Sequence, residues 1–143
     1  MALGDVAAVL LSAQQLADFT RGYALGLLWA CTTDDAGGSV DPYGWQSPDR
    51  DWALYAFDGA GQLRVMADAG AFVAAHREDL ALFSALTRTG WDAAGHDLAL
   101  TRGGHRAGFW SRGAGDVGDR LSVAARALGE VRGEVCGGVV SLV

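Results

Sequence analysis

A single α+β domain is the fold class this sequence predicts: N-terminal helices packed on a small antiparallel sheet of C-terminal β-hairpins. Three observations predict it. Long segments in the first two thirds repeat apolar residues at helical spacing. In the last third, Gly103-Gly104 and Gly137-Gly138 each separate two short runs of mixed apolar and polar residues, and glycine tolerates the positive φ that a hairpin turn requires. The chain has 143 residues, the size of one domain with one hydrophobic core, and shows no internal repeat.

The first helix is expected over about 13 to 32. Ser12-Ala13-Gln14-Gln15 fits a capping box, in which a hydroxyl and a side-chain amide satisfy free backbone amides reciprocally. Leu16, Phe19, Tyr23, Leu27 and Ala30 then form an apolar stripe, widened by Ala24, Leu28 and Cys31. Gly22 and Gly26 share a face four residues apart and let another element approach closely. Residues 34–51 are rich in Asp, Gly and Ser and contain both prolines, Pro42 and Pro48, so they read as a loop. Its Tyr43 and Trp45 either fold back on the core as a lid or form a contact surface.

The segment from Trp52 to Phe57 reads equally as a short strand or a helical turn. Asp58 caps a second long helix, about 60 to 76 and continuing with a bend to about 87. Val65, Ala69, Phe72, His76, Leu80 and Phe83 are its stripe. Thr89 caps a short third helix through Trp91 to about Gly95. Leu98–Arg102 and His105–Trp110 then flank Gly103-Gly104 as a hairpin. Its inward face carries Leu98, Leu100, Ala107 and Phe109, and its outward face Asp97, Thr101, Arg106 and Trp110. A fourth helix follows over about 117 to 128, with Asp116 as cap, Asp119 in its first turn and Gly129 as its stop. Val131–Cys136 and Val139–Val143 form the second hairpin.

The formal net charge of −6 argues against nucleic acid as a partner, which calls for a basic stripe. No apolar run is long enough to span a bilayer. Met1–Ala13 lacks a basic region and carries Asp5, so it does not read as a signal peptide, and a cytoplasmic location is expected. All 11 basic residues are arginine; without lysine, Schiff-base and P-loop lysine chemistry is absent. Cys31 and Cys136 are far apart and read as two buried thiols in a reducing compartment, with a single disulfide as the alternative.

Gly113-Ala114-Gly115-Asp116-Val117-Gly118 matches the dinucleotide fingerprint G-x-G-x-x-G. Asp116, however, would set a negative charge where a pyrophosphate sits, and too little chain follows to complete that fold. A flexible turn with an Asp cap is the simpler reading. His76, His96 and His105 show no metal-ligand spacing, so neither metal nor cofactor is expected. His76 falls on an apolar stripe and reads as a core residue, and His105 as exposed. His96 and Asp97, with Arg102, could support acid–base or phosphoester chemistry, but no nucleophile elbow or carboxylate pair accompanies them. Arg102, Arg106 and Arg112 cluster around Trp110. Arginine forks recognise carboxylates and phosphates, and Arg and Trp are enriched at binding hot spots.

Phe19-Thr20-Arg21-Gly22-Tyr23, Leu28-Trp29, Ala94-Gly95-His96-Asp97, the run Leu100–Gly113, and the helix through Leu121 and Ala124 to Gly129-Glu130 together resemble a family of small proteins encoded by tailed phages and prophages. The resemblance covers about 13 to 33 and 89 to 130. It departs from the family pattern at Ala99, where an aromatic is usual, at Gly103, where Asn is usual, and at Ser111, where Asp is usual. It implies a phage accessory protein and carries no catalytic residues with it. The function expected is binding of a host protein, such as a defence component, through Thr101, Arg102, His105, Arg106 and Trp110, helped by Tyr43 and Trp45. Two alternatives are a binder of a phosphorylated or nucleotide-like small ligand using the same residues, and a small hydrolase using His96, Asp97 and Arg102. The Gly22/Gly26 face and a free edge strand each permit a homodimer.

Overall fold

Leu3–Cys31 form one helix, α1, which starts well upstream of the Ser12 cap expected from the sequence. Residues 3–13 are rich in Ala and Leu, strong helix formers. Residues 4–11 are exposed on every side, so no alternation of apolar and polar faces marks them as helix. The structure, a computed structural model, describes residues 3–31, 52–136 and 139–143. The loop expected at 34–51, with Tyr43 and Trp45, lies outside the described residues. So do the Gly137-Gly138 turn and the side chains of Cys31 and Cys136.

Trp52–Tyr55 form a helical turn, α2. Asp58 caps α3, Gly59–Thr87, by accepting the Gly61 N–H at 2.6 Å. The bend expected in α3 falls at His76, whose φ of −130° and ψ of 26° leave the helix. His76 is half-buried rather than a core residue, its ring 4.6 Å from Phe72. The rest of the expected stripe is buried as read.

The largest correction concerns the first hairpin. Trp91–Arg102 are a helix, α4, with Gly90 rather than Thr89 at its N-cap. Leu98–Arg102 are its last turns, and Gly103-Gly104 end it instead of turning a hairpin; Gly104, at φ 68°, takes the left-handed conformation. The His105 N–H then bonds the Leu100 carbonyl at 3.1 Å. A connector leads to a 3-10 turn at Phe109–Ser111. Leu98, Leu100 and Phe109 are buried, as the hairpin reading required, but by a different backbone.

The helix α5 spans Asp116–Ala127, with Asp116 and Asp119 in its first turn. Gly115, not Asp116, holds the N-cap position. The glycine pattern that imitates a dinucleotide loop has a packing cause. Gly113 and Gly115 take positive φ, and a Cβ on Gly118 would stand 2.6 Å from the Phe109 carbonyl oxygen. The second hairpin forms as expected: β1 (Gly133–Cys136) pairs antiparallel with β2 (Val139–Leu142), Gly133 opposite Leu142 and Glu134 opposite Ser141. β2 also docks on the chain before α3. The Val140 N–H bonds Ala56 O at 2.9 Å, the Asp58 N–H bonds Val140 O at 2.8 Å, and Ser141 Oγ donates to Asp58 Oδ2 at 2.7 Å.

The helices therefore pack on one another and on a two-stranded antiparallel sheet, the α+β class read from the sequence. The core is a column of rings. Phe19 of α1 stacks on Phe72 of α3, Phe72 on Phe109, and Phe109 meets the edge of Phe83. Gly22 and Gly26 perform the expected packing role, with α4 as the partner. A Cβ on Gly22 would lie 1.8 Å from the Asp92 carbonyl oxygen, and one on Gly26 2.7 Å from the Ala99 Cβ. That face is occupied within the chain, so it does not serve a homodimer. No helix among the described residues is long and apolar enough to cross a membrane.

Candidate functional site

Three faces of α4 do three different things. Gly95, Asp92 and Ala99 lie against α1. Leu98 and Arg102, four residues apart, point into the molecule and are buried. Asp97 and Thr101, also four apart, hold the connector that follows the helix.

Arg102, expected at the surface, is 7% exposed. Its guanidinium donates to the Tyr23 hydroxyl at 2.8 Å, to Asp68 Oδ2 at 2.9 Å, and to the Gly129 and Leu128 carbonyls at 2.9 and 3.2 Å. It thereby ties α1 and α3 to the end of α5, where free carbonyls need donors. Burial pushes the Tyr23 hydroxyl well above its ordinary range, so it keeps its proton and donates to Asp68 at 3.1 Å. Thr101 is also buried: its Oγ1 accepts the Phe109 N–H at 3.3 Å. Both residues belong to the interior and not to a binding surface.

Asp97 is buried and faces Arg112. Arg112 Nε donates to both carboxylate oxygens at 3.2 and 3.1 Å, and Nη2 donates to Oδ1 at 2.7 Å. This forked bond clamps the far end of the connector to α4 and holds the guanidinium more firmly charged. The Ser111 hydroxyl accepts the Gly108 N–H at 3.1 Å and donates to its carbonyl at 3.0 Å. With Phe109 buried, the turn is pinned on three sides. Trp110, the next residue, is left 42% exposed, and Arg106 is exposed too.

Beside the connector, the Trp29 ring near the end of α1 is 45% exposed, with His96 and His105 at 6.2 and 5.9 Å. His105, expected to be exposed, is half-buried against that ring. Burial lowers the His96 pKa below its ordinary value; Asp97 and Asp92 oppose that shift, while Arg112 and His105 add to it. His96 is therefore neutral at pH 7. The site is an aromatic and imidazole surface with arginines beside it. No family model, curated protein or solved structure matches this chain.

Of the residues singled out in the sequence, the structure brings His96, His105 and Arg112 into one neighbourhood and leaves Arg106 and Trp110 exposed on the connector. It does not bring His96, Asp97 and Arg102 together as a working set, because Asp97 is bound to Arg112 and Arg102 is committed inside. Among the described residues, no group of His, Cys, Asp and Glu is placed to hold a metal ion. Two clefts lie on other parts of the surface. One, of about 310 Å³, is lined by Leu16, Tyr55 and Met66, among others. The other, of about 490 Å³, lies at the α3 bend and is lined by Ala74–Asp79. Trp29 belongs to this surface although the sequence reading does not place it there. A signal for it exists: it falls off the buried stripe of its helix, and a tryptophan in that position faces outward.

Proposed function

We propose that this chain is a phage or prophage accessory protein that acts by binding a host protein, a defence component being the target favoured. The observation that carries the binding reading is the outward Trp110 on a pinned connector. A large, rigid aromatic held in place before contact adds interface area at little cost in ordering. Arg106 is exposed on the same connector, and Trp29, with His96 and His105 packed beside it, offers a second outward aromatic; these residue types suit a protein partner. Phage origin rests on the sequence resemblance alone. Asp97 and Arg102, which a hydrolase would need beside His96, are instead committed to ion pairs and hydrogen bonds within the fold, which favours binding over turnover.

The test is capture from a host lysate with tagged protein, beside the Arg106→Ala/Trp110→Ala double variant. The captured protein is then purified and titrated with both forms by calorimetry. Saturable binding by the wild type, weakened at least about tenfold in a variant that melts normally, supports the reading. An empty capture, or equal binding by both forms, overturns it.

A further inference from the structure

The first turns of α1 carry large apolar residues that nothing among the described residues covers: Val6, Val9 and Leu10 are 40%, 61% and 65% exposed. At about 100° per residue, Val6, Val9, Leu10 and Ala13 lie on the same stripe as Leu16, Ala17 and Thr20. The second half of that stripe is one wall of the 310 Å³ cleft, whose other wall is Leu54, Tyr55 and Met66. One helix thus offers a ridge on its N-terminal half and a groove on its C-terminal half, joined at Ala13. No charged residue occurs from Val6 to Ala17; Asp5 and Arg21 border the stripe at its two ends, and Arg21 also lines the cleft.

We propose that this surface binds a second copy of the chain, the two α1 helices crossing antiparallel about Ala13. Closed two-fold pairing requires a self-complementary patch, and this one is: Val6 falls opposite Thr20, Val9 opposite Ala17 and Leu10 opposite Leu16. The exposed parts of Val6, Val9, Leu10, Tyr55 and Met66 come to roughly 500 Å² per copy before the exposed Ala13 and Ala17 are added, so the pair buries about 1,000 Å² or more, the size a specific interface must reach. Ala13 at the axis lets the helices approach to about 9.5 Å. The face is separate from the Gly22/Gly26 side, which α4 occupies, and the inference goes beyond the proposed function.

The test is sedimentation velocity on the full chain from micromolar to several hundred micromolar. The wild type should dimerise. Leu10→Glu should remain a monomer with unchanged circular dichroism, since residue 10 is exposed in the folded chain. Leu11→Glu, on the opposite side of the helix, should dimerise like the wild type. Ala13→Cys should yield, on mild oxidation, a covalent dimer joined through residue 13, because Cα atoms about 5 Å apart at the axis fall in disulfide range. A wild-type monomer throughout the range, a dimer indifferent to Leu10→Glu, or a monomer that instead binds phosphatidylglycerol vesicles through residues 6–13 would overturn the proposal.

Discussion

At the scale of single residues, neighbouring positions have opposite roles. Phe109 closes the ring column, and Trp110 beside it is half out in solvent. His96 shows how such placement becomes measurable. Burial holds its folded pKa below the ordinary histidine value, so the unfolded chain binds more protons as pH drops through about 6.5. The linkage sign follows: stability rises with pH across that window and is lost as pH falls through it. The melting temperature should therefore decline between about pH 7.5 and 5.5, and His96→Gln should flatten that decline. An unchanged slope in the variant would place the titrating group elsewhere. The sequence marks His96 as the histidine to watch but not why. Part of its cover is the Trp29 ring, which belongs to a different helix.

At the scale of elements, α4 explains both the main misreading and the tightest packing. Ala94, Gly95 and every residue from Asp97 to Arg102 are buried. A helix covered on all sides loses the polar face that gives a period of 3.6. What remains legible is the alternation in Leu98-Ala99-Leu100-Thr101-Arg102, which imitates a strand. The polar members Asp97, Thr101 and Arg102 are inside because each has a partner that sequence alone cannot supply. α5 and β1–β2 are legible because each keeps a solvent face or a turn signal. The glycines are legible as a close crossing but not as to what crosses them. Gly95→Ala should show how close that crossing is. Its Cβ would meet the Phe19 carbonyl oxygen at 2.0 Å and the Tyr23 nitrogen at 2.8 Å, both main-chain atoms that cannot swing aside. A loss of about 1–3 kcal/mol in urea unfolding is expected. Gly70→Ala, in α3 with open space around it, should instead stabilise by about 0.4–1 kcal/mol.

At the scale of the whole molecule, Arg102 is the residue that joins distant elements. It contacts α1, α3 and the end of α5 at once. Arg102→Met should cost about 3 kcal/mol, because it strands Tyr23, Asp68 and two carbonyls. Arg102→Lys should not restore the loss, since an ammonium cannot reach four acceptors along the directions of a planar fork. Chemical denaturation of the three forms checks both statements. The fold class is readable from composition and period, whereas this junction is not, because its members are scattered from residue 23 to residue 129. The glycine crossing below Trp29 and His96 has one more consequence. Where backbone lies on backbone, there are no rotamers to rearrange, so α1 and α4 can only move as a single body. The two halves of the Trp29 face thus arrive already aligned, and a partner would meet a stamp rather than a glove. Association there should give up little configurational freedom, and its selectivity should come from shape.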